Sequence, residues 1–97
     1  MPTYVALYRW TDQGIRTVKD TVARARENMA GFEKAGGKIK ALYYTQGRYD
    51  LIAISEAPNE ETAQAFVLAQ GKSGFLRTET MRAFSMEEME SILKKVP

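Results

Sequence analysis

The chain has 97 residues, 14 Lys+Arg against 12 Asp+Glu, and neither cysteine nor histidine. A single domain over residues 1–97 fits that length, and a compact chain of this mass has a folded surface of roughly 5,600 Å². Without Cys or His there is no disulfide framework, thiol nucleophile, Ser-His or Cys-His triad, or histidine-held zinc or haem; only carboxylates remain as metal ligands, and no metal or cofactor is expected.

The first segment, Tyr4 to Trp10, is rich in β-formers and reads as a strand. Thr11-Asp12-Gln13-Gly14 breaks it and offers capping side chains. From Ile15 the apolar positions Ile15, Val18, Val22, Ala25, Met29 and Phe32 follow a helical stripe, which predicts one helix ended by Gly36-Gly37. Along it Asp20 and Arg24 stand at the spacing of a helix-surface ion pair. Lys38 to Tyr44 and Leu51 to Glu56 are two more strands, and the short link with Gly47 predicts a hairpin in which that glycine takes a positive φ. Asn59 is the expected N-cap of a second helix that closes at Gly71 to Gly74. Phe75 to Phe84 reads as a fourth strand. Ser85-Met86-Glu87-Glu88 has the pattern of a capping box opening a short helix that packs Met86, Met89 and Leu93.

The order β-α-β-β-α-β plus a terminal helix is the ferredoxin-like α+β arrangement, with two helices on one face of a four-stranded antiparallel sheet. A lone domain of that kind should have a polar second face. Here one parity of the first strand is Val5, Leu7, Arg9 and the other is Tyr4, Ala6, Tyr8, Trp10; in the third strand the sets are Leu51, Ala53, Ser55 and Ile52, Ile54. Both faces of both strands are largely apolar. An apolar second face calls for a cover, and the expected cover is a second copy, sheet to sheet, in a homodimer.

The hairpin carries Gly47-Arg48-Tyr49-Asp50, a Gly-x-Tyr-Asp sequence. With Tyr4-Val5-Ala6-Leu7, Trp10-Thr11-Asp12-Gln13-Gly14 and Arg77-Thr78-Glu79-Thr80-Met81-Arg82-Ala83-Phe84 in the same order, the chain resembles the GYD-domain family along nearly its whole length. The resemblance implies a dimeric α+β barrel of largely uncharacterised function. A similar Gly-x-Tyr/Phe-Asp hairpin occurs in the ligand-binding domain of Lrp/AsnC-type regulators, but with a first strand starting at residue 3 or 4 a helix-turn-helix is not expected here.

Charge argues against nucleic acid as a partner. Residues 9–40 hold eight basic and four acidic groups, but Asp12, Asp20, Glu27 and Glu33 interrupt the basic ones, and residues 41–97 are net acidic. No apolar run is long enough to span a membrane, and the opening Met-Pro-Thr-Tyr-Val lacks the layout of a secretory signal, so a cytoplasmic protein is expected.

All five tyrosines and Trp10 fall in the first three strands or at their ends. Tyr8, Trp10, Tyr44 and Tyr49 therefore read either as dimer packing or as the wall of a ligand cavity. Asp50 reads as a turn residue accepting backbone N–H bonds, or as a carboxylate for a ligand's amine or for proton transfer. Arg82 is either an anion clamp directed into the barrel or the partner of Glu79 or Asp50. Glu60, Glu61, Glu87, Glu88 and Glu90 read as first-turn and surface acids. Gly71-Lys72-Ser73-Gly74 stands at a helix end and lacks the spacing of a phosphate-binding loop. Three function classes remain: a small-molecule-binding or interaction module, a cofactor-independent enzyme of monooxygenase or isomerase type working with Tyr, Asp and Arg, and a purely structural subunit.

Overall fold

Extended, β-branched and aromatic stretches pair where their alternation predicts. In the computed structural model, which describes all 97 residues, the strands are β1 (Thr3–Trp10), β2 (Lys38–Tyr44), β3 (Leu51–Glu56) and β4 (Leu76–Ala83), in the order β2-β3-β1-β4 with every pairing antiparallel. The helices are α1 (Asp12–Arg16), α2 (Thr21–Lys34), α3 (Glu60–Ser73) and α4 (Met86–Leu93). This is the ferredoxin-like α+β fold, with β1 and β3 in the centre of the sheet. No helix is long and apolar enough to cross a membrane.

Local caps set most boundaries. Asn59 accepts a hydrogen bond from the Thr62 N–H at 2.8 Å at the start of α3, and Gly74 ends that helix at φ 85°. Ser85 and Glu88 form the reciprocal capping box of α4. Gly47 stands at φ 102° in the hairpin.

The first crossover differs from the sequence expectation. Instead of one helix from Ile15, a short α1 gives way to a 3₁₀ turn (Val18–Asp20) before α2 begins. At the break Thr17 leaves the helical region (φ −111°, ψ 29°) and its hydroxyl donates to the Gln13 carbonyl at 2.8 Å. The Arg24 guanidinium then donates to the Thr17 carbonyl at 3.2 Å and fixes the bend. Arg24 is thereby drawn away from Asp20, and the expected helix-surface ion pair does not form; the ion pairs present are Lys40–Glu56 and Arg82–Glu88.

The core lies between α2, α3 and the sheet. Tyr4, Ala6, Leu51 and Ala53 point from the central strands toward the helices, and Phe32 of α2 meets Phe66 of α3 edge to face with centroids 5.0 Å apart. The opposite face has no cover. There Val5 stands between Ile54 and Met81, and Leu7 beside Ile52. Ile54 is 37% exposed, Met81 47% and Tyr43 65%. The apolar side of α4 is also open: Met86 is 86% exposed, and Met89 and Leu93 are exposed as well, contrary to the packing expected from their spacing.

The chain's accessible surface is 6911 Å², about 1,300 Å² above the value for a compact monomer of this mass. Its radius of gyration of 14.6 Å exceeds the roughly 12.5 Å of a compact domain of this length.

Candidate functional site

The structure separates the residues singled out from the sequence into three places. Tyr8, Trp10 and Tyr44 lie toward the helix-covered side of the sheet, Tyr49 turns onto the open face, and Arg82 sits at the far end of β1 beside Tyr4. Asp50 ties the hairpin to β1.

In the hairpin, the Thr45 N–H donates to the Asp50 carbonyl at 2.9 Å and the Asp50 N–H to the Tyr8 carbonyl at 2.8 Å. The Asp50 carboxylate accepts the Trp10 backbone N–H at 2.9 Å. It therefore continues the β1 ladder past the end of β3, supplying an acceptor where the neighbouring strand has run out. Tyr49 donates from its hydroxyl to Glu79 at 2.9 Å, with Arg9 5.0 Å from the centre of its ring. The Gly-x-Tyr-Asp segment thus points its tyrosine to one face and its aspartate to the strand end.

Arg82 pairs neither with Glu79 nor with Asp50. Its guanidinium lies 3.2 Å from the Glu88 carboxylate, 4.5 Å from the centre of the Phe84 ring and within reach of the Thr3 and Ala83 carbonyls. The Ser85 backbone N–H, foremost, and Arg82 stabilise ionised Glu88 and hold its carboxyl below the usual range.

Two cavities adjoin between sheet and helices. The inner one, about 70 Å³, is mainly apolar, with Met29, Leu42, Phe66 and Val67 in its wall. Its polar lining residues are Asn28, Ser55, Gln70 and Thr80, and Tyr4 and Tyr8 add their hydroxyl-bearing rings. Burial pushes the Tyr8 phenol up, and Gln70 opposes that shift. Tyr4 is 8% exposed, and its hydroxyl is buried without a hydrogen-bond partner.

The outer cavity, about 220 Å³, shares Ala25, Asn28, Leu51 and Leu76 with the inner one. Trp10, Arg24, Ser73 and Phe75 complete much of its wall. Trp10 packs against the Tyr44 ring with centroids 6.4 Å apart, and Tyr44 reaches the Thr21 hydroxyl of α2 at 3.3 Å. The Arg24 guanidinium carbon lies 4.2 Å over the centre of the Phe75 ring.

Arg24 is the residue that sequence reasoning passed over. Its spacing from Asp20 predicts a solvated ion pair, and its only other signal is a place beside Ala25 on the flank of the apolar stripe. Arg82, the arginine singled out as a clamp, already has a carboxylate partner; Arg24 has none.

Comparison with known proteins places these features in a wider group. The description of the GYD domain matches residues 4–93. A protein of Thermus thermophilus, named glutamine synthetase and cystathionine beta-lyase binding protein, is 28% identical over 95 residues, covering 97% of this chain and 100% of that protein. The crystal structure of FFRP-DM1 has the same fold, with a TM-score of 0.56, 22% identity, 87% of this chain covered and 100% of the other. A hypothetical protein of Pyrococcus horikoshii matches with a TM-score of 0.54 and 22% identity over 88% of this chain and 92% of its own.

Proposed function

The chain belongs to the GYD-domain family, and from that premise we propose that it is a homodimeric interaction module, closed sheet to sheet, which binds other proteins rather than transforming a substrate. The observation that carries the dimer is the uncovered apolar face of β1, β3 and β4, with Val5, Leu7, Ile52, Ile54 and Met81 on it. The surplus of about 1,300 Å² over a compact monomer is more than the roughly 800 Å² that one partner of a standard interface buries. A two-fold axis through this face sets identical strands against each other and gives both copies the missing second layer.

Binding of other proteins is supported by the name of the Thermus relative, which describes a binding protein for two enzymes. The groups an enzyme reading would use are held by the fold instead: Asp50 by the Trp10 N–H, Tyr49 by Glu79, and Arg82 by Glu88. Sedimentation equilibrium over the micromolar range tests the dimer. A species of twice the chain mass is expected, and a monomer at every concentration overturns the reading.

A second reading, that the same module also takes a small molecule, is supported by the two adjoining cavities, whose walls include Tyr8 and Trp10.

A further inference from the structure

The outer cavity holds two hydrogen-bond donors that nothing in the chain uses. Arg24 is fixed at one end: its Nη1 donates to the Thr17 carbonyl and hydroxyl, each at 3.2 Å, and its plane lies over Phe75. Its Nη2 is buried without a partner, as is the indole Nε1 of Trp10, and both side chains line the same cavity. Proteins seldom leave buried N–H donors unpaired, because each loses its water without a replacement. A guanidinium anchored on one edge and stacked on an aromatic ring presents its remaining N–H groups to a planar, singly charged acceptor.

The surroundings narrow the chemistry further. Arg24 is the single cation in the cavity wall, with no lysine beside it, which matches one negative charge better than the two of a phosphate monoester. The one acid there, Glu27, lies on the exposed side of α2. Leu51 and Leu76 also line the apolar inner cavity, which adjoins this one. Engineered apolar cavities of about 150 Å³ accept benzene, so the 220 Å³ outer cavity has room for a ring-sized group.

We propose that this cavity binds a small apolar monocarboxylate, its head held by Arg24 and Trp10 and its tail against Leu51 and Leu76 toward Met29 and Phe66. The proposal rests on the reading that the module takes a small molecule. As the side chains stand, neither nitrogen is open to solvent. An entering carboxylate therefore requires the Arg24 terminus and the Trp10 ring each to shift toward the cavity.

Trp10 is the chain's one tryptophan, so its emission reports on the site directly. The whole protein is titrated with phenylacetate, with its neutral counterpart phenylacetamide, and with acetate. Phenylacetate is expected to give a saturable change, and phenylacetamide and acetate to bind at least about tenfold more weakly, since one loses the charge and the other the tail. Arg24→Gln is expected to weaken phenylacetate by about tenfold or more, with its fold checked by circular dichroism. Should that variant unfold, Trp10→Phe, which keeps a ring and removes the N–H, is titrated by calorimetry and is expected to bind phenylacetate several-fold more weakly. Equal affinity for acid and amide, or variants that bind phenylacetate as tightly as the parent, overturns the assignment of the head while leaving a small-molecule cavity. No saturable binding by any of the three probes overturns both.

Discussion

Replacing Ile54 by glutamate puts the sheet-to-sheet dimer to its most direct test. Ile54 lies on the central strand β3, pairs with Val5 across the sheet and keeps 37% of its surface exposed. Full burial of an isoleucine side chain is worth about 1.5–3 kcal/mol, so the third that remains contributes about 0.5–1 kcal/mol when a partner covers it. The two-fold axis applies that loss to both copies. Each introduced carboxylate, deprived of water at the interface without a partner, adds about 1–3 kcal/mol. The dimer is therefore expected to weaken by about 3–8 kcal/mol, or about two to six powers of ten in Kd. The monomer should keep its fold, because the substituted side chain leaves the helix-side core untouched. Sedimentation equilibrium of parent and variant gives the two constants, and circular dichroism gives the fold. An Ile54→Glu protein that is folded and dimerises within tenfold of the parent would refute the placement of the interface on this face.

Three further substitutions or titrations read the rest of the structure. At Gly14 an added Cβ would overlap the Phe75 carbonyl oxygen, a backbone atom already tied to the Thr11 N–H at 3.1 Å. Gly14→Ala is thus expected to lose about 1–3 kcal/mol and about 5–20 °C in Tm by calorimetry, and an unchanged Tm would contradict that close approach. Asp50→Ala leaves the Trp10 N–H without its acceptor and should destabilise by about 1–3 kcal/mol in urea, whereas Asp50→Asn, which keeps an oxygen, should recover most of it. If the two variants melt alike, the strand-end role of Asp50 is wrong. For Tyr8 the phenol is raised by burial, so the folded state holds that proton more tightly than the unfolded chain does. Its contribution is complete below about pH 10 and is lost as pH rises through the elevated folded value. Absorbance titration should show one of the five tyrosines ionising after the others, and Tyr8→Phe should remove that late step.

What could be read from the sequence is what neighbouring residues decide. Asn59, Ser85 and Gly74 act within a turn of their own helix, and all three stand where their spacing puts them. The two-faced sheet was legible because alternation in β1 and β3 assigns each side chain to a face without knowledge of the partner strand. The break at Thr17 was not legible, since it depends on an arginine seven residues on turning inward to clamp its carbonyl. For the cavity the difficulty was greater. Arg24 and Phe75 lie in separate elements, and only the packing of α2 beside the start of β4 makes them a stacked pair. Arg82 attracted notice because its strand position was readable, yet its partner Glu88 belongs to the helix beyond the strand.

The alternation of β1 also separates the two proposed activities. Val5 and Leu7 face the open side, whereas Tyr4, Tyr8 and Trp10 face the helices. One strand thus serves the dimer through one face and the cavity through the other. If the faces act independently, Ile54→Glu dissociates the dimer and leaves phenylacetate affinity unchanged, while Arg24→Gln weakens phenylacetate and leaves the dimer intact. The double variant should then show the two losses added to within about 0.5 kcal/mol. A larger departure, measured by the same sedimentation and fluorescence titrations, would mean that β1 transmits the state of one face to the other. In that case the cavity would be a control point for assembly, because a ligand that alters the dimer constant must itself be bound more or less tightly by the dimer.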